Sequence, residues 1–233
     1  FQHVVGLRGF PHPSRLTRWL RQWSEIELEG LLKVHDWLRL QLFYEPRPRT
    51  SLTFDLDSTV LVLYGWQIEG AKVGYNPKKP RRPSYHPLLC FEGHTQDCWD
   101  GWLRPGDTHS ASGARIFLER CLARVPERVY RLRVRADAGF FDHELTEFLD
   151  ERQIGDAIVA RLTRPIQRLL PGRTFQRFRD RWEAAEFRDH PHGWAAAARF
   201  IAVRRPLPDD PRERAQRTLW TFKRHASHVL VTH

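Results

Sequence analysis

A chain of 233 residues, 41% hydrophobic and 28% charged, is long enough to bury a sizeable core without disulfide staples. Its formal net charge of +10, from 38 Lys+Arg against 28 Asp+Glu, favours polyanionic partners, because neutralising phosphates releases condensed counterions. No apolar run approaches the roughly 20 residues that cross a bilayer, and three cysteines (Cys90, Cys98, Cys121) make no disulfide framework, so a membrane span and a secreted scaffold are excluded and a reducing cytoplasm is expected.

Residues 1–48 read as a helical preface. Ser14 to about Phe43 has helical periodicity, Ser24 and Glu27 form a capping box, and Leu28, Leu31, Leu32, Leu38 and Leu42 supply an apolar stripe. Arg15, Arg18 and Arg21 on this segment form either a DNA-contacting or a solvated face. The linker Pro46-Arg47-Pro48-Arg49 closes it. Residues 49–160 read as the first part of an α/β core. The alternating, β-branched run from Ser51 to Tyr64 predicts one strand. A basic turn-rich segment from Tyr75 to Tyr85 follows, then a hairpin with strands near 87–93 and 98–103. Next come a helix near 110–124, a strand near 129–136, a helix capped by Asp142 and a short buried strand, Ala157-Ile158-Val159-Ala160. Three strands, helix, strand, helix, strand is the order of a ribonuclease-H-like mixed sheet with flanking helices.

From Arg161 to Ala226 aromatic residues and arginines alternate, and the segment reads as a β-rich insertion. Its aromatics either pack a small lobe or stack on DNA bases. Residues 227–233 read as the start of a return to the core. The sequence is read as a fragment cut at both ends.

The candidate chemistry lies in carboxylates. Asp55 and Asp57 are two apart on one strand and therefore share a face, while Phe54 and Leu56 take the other. Asp137 ends a second strand, which such a sheet places beside the first. Oxygen ligands of this kind suit Mg²⁺, with Mn²⁺ as a substitute, and leave coordination positions for water and phosphate. The basic turn Lys78, Lys79, Arg81 and Arg82, with Tyr85 beside it and Arg104 downstream, is a candidate phosphate contact or a solvated loop. His86 reads as structural. Cys90, His94 and Cys98 are spaced four apart, but their flanks read as strands and no CxxC pair is present, so a zinc site is rejected.

Four motifs in order carry a resemblance. They are Asp57-Ser58-Thr59; Gly74-Tyr75-Asn76-Pro77-Lys78-Lys79 through Arg82-Pro83-Ser84-Tyr85-His86-Pro87-Leu88-Leu89; Leu103-Arg104-Pro105-Gly106-Asp107-Thr108-His109; and Arg135-Ala136-Asp137-Ala138-Gly139-Phe140. Together they resemble bacterial insertion-sequence transposases of the DDE type. The resemblance implies a ribonuclease-H-like catalytic domain with Asp57 and Asp137 as the first two catalytic, metal-holding acids, and it prefers Asp57 over Asp55. It also implies Mg²⁺-dependent cleavage of terminal repeats, strand transfer into target DNA and a homodimer on paired ends. The third acid of such enzymes, a Glu on a later helix, matches nothing in the chain, so the fragment is expected to be catalytically incomplete. A nuclease that never joins strands, and a DNA-binding remnant, are the alternative expectations.

Overall fold

Leu52, Phe54 and Leu56 alternate along Ser51–Ser58 (β1) and are buried on one face, as suits an interior strand with a covered side. The computed structural model describes residues 11–44, 49–65, 67–76, 79–194, 196–206, 221–222 and 225–232. The chain divides into two compact units, Phe1–Arg49 and Thr50–His233.

In the first unit the expected helical stretch is two helices, Pro13–Leu20 (α1) and Glu25–Tyr44 (α2). The capping box is the reason for the break. Ser24 donates its backbone N–H to Glu27 Oε2 at 2.7 Å and accepts from Ile26 N–H on Oγ at 3.3 Å, so a new helix starts there.

In the second unit Leu88–Glu92 (β5) and Cys98–Trp102 (β6) form a hairpin beside β1, closed by Glu92 Oε2, which accepts from Thr95 N–H at 2.6 Å. Arg131–Ala136 (β7) and Gly155–Val159 (β8) follow on the other side. Order β6-β5-β1-β7-β8, with β5 and β6 antiparallel and β1, β7 and β8 mutually parallel, is ribonuclease-H-like. The fold class is therefore the one expected: a large mixed α/β sheet with few helices.

Ala114–Leu122 (α3) and His143–Glu151 (α4) place Phe117, Leu118, Cys121, Leu145, Phe148 and Leu149 against the buried side of this sheet, where Phe54 meets Trp99 at 5.1 Å between ring centroids. A fully buried side chain of that size contributes roughly 1.5–3 kcal/mol. Asp142 caps α4, its Oδ1 accepting from Glu144 N–H at 3.0 Å. Cys90 and Cys121 are both buried in this core, and burial pushes the Cys90 thiol far above its ordinary range.

The expected strand over 51–64 ends early. After Ser58 the chain leaves the large sheet, and Leu61–Val62 (β2) pairs with Pro83–Tyr85 (β4), which also pairs with Lys72–Val73 (β3). Asp57 thus stands next to the end of β1 rather than in the middle of a longer strand. Beyond β8 a short helix, Arg164–Leu169 (α5), was unforeseen; its sequence signal is Pro165 in the first turn after Thr163. Gln176–Arg179 (β9), Trp182–Asp189 (β10), Ala198–Pro206 (β11), Thr221–Phe222 (β12) and His225–Thr232 (β13) then extend the same sheet. β13 lies against β8 through Leu230↔Val159 and Val231↔Ile158, and Phe187 of β10 stacks on Phe200 of β11 at 5.5 Å. No helix among the described residues is long and apolar enough to cross a membrane.

Candidate active site

Strand pairing decides where the acids stand. β1 and β7 are in parallel register up to Leu56↔Ala136, so Asp57 and Asp137 are the next residues on neighbouring strands, on one edge of the sheet and on one side of it. Both are exposed. Asp57 Oδ1 accepts from the Ser58 N–H at 2.7 Å. Asp137 caps a short 3-10 turn, Ala138–Phe140, its Oδ1 accepting from Gly139 N–H at 2.8 Å. A chain of contacts joins the two ends: Ser58 Oγ lies 2.9 Å from Ser110 Oγ, and Ser110 lies against Gly139. A Cβ on Gly139 would approach both Ser110 and Asp137 Oδ1 to 2.9 Å, so a side chain at 139 would push these segments apart. Among the described residues no cation pairs with Asp57 or Asp137.

Asp55 is different. Its register partner on β7 is Arg135, which donates Nε to Oδ1 and Nη2 to Oδ2, each at 2.6 Å. Asp55 was expected among the metal ligands; both its oxygens are instead taken by a bidentate ion pair.

A cleft of 610 Å³ opens beside the acids, lined by Tyr75, His86, His109, Ser110, Gly139 and Arg161 among others. Arg104 was expected at DNA, yet it is only 3% exposed. Its Nε donates to His86 O at 3.0 Å and its Nη1 to the carbonyls of His109, Ser110 and Ser112 at 3.3, 3.2 and 2.6 Å. Burial pulls this guanidinium below its ordinary pKa, though it stays charged. Arg104 thus ties together the loop that builds the cleft wall. His86 Nδ1 donates to Thr108 O at 2.6 Å and braces the same wall. The expectation for Tyr85 also changes: its hydroxyl is donated to the Glu69 carbonyl. Lys79, Arg81 and Arg82 are exposed as expected, with Arg82 5.8 Å over the Tyr64 ring. Lys78 lies outside the described residues.

Replacing Arg104 by Leu should cost about 2 kcal/mol, the loss of charge-assisted bonds to buried carbonyls. A urea titration measures it, and the salt dependence of DNA binding should not change. A variant as stable as wild type, with a shallower salt slope, would return Arg104 to the phosphate contacts.

Residues 5–205 match the family model for the transposase DDE domain, group 1. The chain belongs to this family. The DDE transposase domain thus accounts for the order of the motifs across most of the sequence, and it classes the protein with enzymes acting on DNA. No curated protein matches the chain. One similar solved structure is the cryo-EM structure of the piggyBac transposase synaptic complex with hairpin DNA, at 14% identity and a TM-score of 0.44. The alignment covers 79% of this chain and 33% of that one, so this DDE transposase domain spans about a third of that chain's length.

Within this domain, sequence reasoning missed Arg161 as a cleft residue and the bracing role of Arg104. Arg161 had a signal, a lone cation directly after the buried run Ala157-Ile158-Val159-Ala160. Arg104 had none that separated it from the exposed arginines, because burial is not visible in a sequence.

Proposed function

We propose that this DDE transposase domain is a catalytic core for metal-dependent DNA strand cleavage and strand transfer, with Asp57 and Asp137 as its metal-holding acids. The observation that carries this reading is the pair of exposed carboxylates, without counter-ions among the described residues, at adjacent ends of parallel strands. The donor set fits Mg²⁺ or Mn²⁺: hard carboxylate oxygens, with the partly solvated surroundings that let a hydrated ion keep water and accept phosphate. Among the described residues no group of three or more His, Cys, Asp or Glu is placed to hold a metal ion. When bound, such ions lower the barrier to attack by water or a 3′-hydroxyl and stabilise the leaving oxygen.

The chain's own residues supply position. Asp57 and Asp137 each use Oδ1 to fix their own loop, which leaves the second oxygen of each for a cation. Gly139 lets the Ser110 loop approach, and Arg104 holds that loop from within. The exposed Lys79, Arg81 and Arg82 provide positive charge for the backbone of the DNA.

The test uses the gene product that contains this chain, incubated with duplex DNA bearing the ends of its element. Mg²⁺-dependent nicking followed by joining of the 3′-hydroxyl to a target plasmid is the expected result. Nicking without joined product would make it a nuclease. Binding without nicking would make it a DNA-binding remnant. Either outcome overturns the reading.

A further inference from the structure

Three neighbouring parallel strands end on one edge of the sheet, and each carries a charge there: Asp57 at the end of β1, Asp137 just past β7 and Arg161 just past β8. In open sheets ligands gather at the carboxyl ends of parallel strands. The third of these charges has the opposite sign to the first two.

Arg161 is exposed but not loose. Its Nε donates to the Ala138 carbonyl at 3.0 Å, and its Nη2 lies 2.9 Å from His109 Nε2. A guanidinium offers no lone pair, so in this contact His109 Nε2 is the acceptor; an imidazole accepts at one ring nitrogen only, so the longer approach of Ala111 N–H to Nδ1, at 3.3 Å, gives way to it. Both anchors therefore leave the charge of Arg161 uncompensated. Arg135, Arg199 and Arg204 each hold a carboxylate, whereas among the described residues none pairs with Arg161. The one acidic side chain that shares the cleft wall, Asp107, is 3.4 Å from Lys72. A guanidinium has five N–H donors in a planar fork, of which two are engaged here, and a fork already oriented loses little freedom on meeting phosphate.

We infer that Arg161, posed by His109 and the Ala138 carbonyl, receives the oxygens of the DNA phosphodiester presented to Asp57 and Asp137. The role deepens the proposed function and rests on it. Chemically the need is plain: a phosphodiester brought to two carboxylates is repelled by both, and a fixed cation on the same edge offsets that repulsion even before an ion binds. An arginine suits the task better than a lysine because it can bond two oxygens of one phosphate at once.

Fluorescence anisotropy of the 233-residue chain with a short labelled duplex, in EDTA and across a salt series, tests this. Arg161→Gln should weaken binding roughly tenfold and make the slope of log affinity against log salt shallower by about one. Arg161→Lys should recover the slope but only part of the affinity. His109→Ala keeps the charge but frees the guanidinium, so affinity should fall severalfold with the slope intact. A purely structural Arg161 would lower the melting temperature of Arg161→Gln and leave the salt slope at the wild-type value, and that result would overturn the inference while the function stands. A wild-type chain that fails to bind the duplex would overturn both.

Discussion

Asparagine at position 57 or 137 should abolish DNA cleavage, with a loss on the order of 10³-fold or more, equivalent to about 4 kcal/mol of transition-state stabilisation. Fold and cap survive this change, because an asparagine Oδ1 can still accept from Ser58 N–H or Gly139 N–H. The two effects can therefore be separated. Without divalent ion the variants should melt at or slightly above the wild-type temperature, since one member of a like-charged pair is gone. With Mg²⁺ or Mn²⁺ at about a hundred times its dissociation constant, mass action stabilises the wild type by about 2.7 kcal/mol. For a chain of this size that is a rise of about 5–10 °C. Both variants should lose most of that rise. Equal metal-induced shifts in wild type and variants would remove Asp57 and Asp137 from the metal site, whatever the cleavage assay showed. Asp55→Asn is the internal contrast. It breaks the ion pair with Arg135 and should leave the metal-induced shift in place.

Gly106→Ala should be among the most damaging single changes available, costing about 3 kcal/mol. A Cβ there would sit 2.2 Å from Ser84 Oγ and 2.5 Å from both the Lys72 and Ser84 carbonyl oxygens. Two of those atoms are backbone and cannot swing aside. Gly74 faces the same junction: its Cβ would lie 1.9 Å from the Gly106 carbonyl oxygen. This junction seats the small sheet of β2, β3 and β4 against the loop that Arg104 braces, and Gly106 itself lines the cleft. Destabilisation should therefore be accompanied by weaker DNA binding. Gly172→Ala, where a Cβ meets nothing within 4 Å, is the control and should be neutral. Urea unfolding of the two variants side by side gives the comparison. A Gly106→Ala protein as stable as the control would show that the small sheet does not seat against this loop.

How much of this was legible in the sequence depended on the range of the interaction concerned. Alternation along Ser51–Ser58 and Arg131–Ala136, the Ser24–Glu27 box and the Asp142 cap are local signals, settled within a few residues, and each appears in the structure. Strand periodicity likewise puts Asp55 and Asp57 on one face, and both lie on β1. The same local logic erred where a competing partner was distant. It ran one strand from Ser51 to Tyr64, although the segment after Ser58 is captured by β4. It overlooked α5 because the surrounding aromatic pattern masked a short helix opened by Pro165.

By itself the sequence determined the order of the core strands β1 and β5 to β8 and of helices α3 and α4, the basic balance and the ordered motifs that place the chain among DDE transposase domains. Only the tertiary structure decided which acids are left without a counter-ion and which arginines are. Asp55 and Arg135 are 80 residues apart and become a bidentate pair through one strand register. Arg104 and Arg161 are both lone arginines at the end of an apolar run, yet one is buried among carbonyls and the other lines the cleft. Charge is a property of the residue, whereas its compensation belongs to whatever folding places within hydrogen-bond distance.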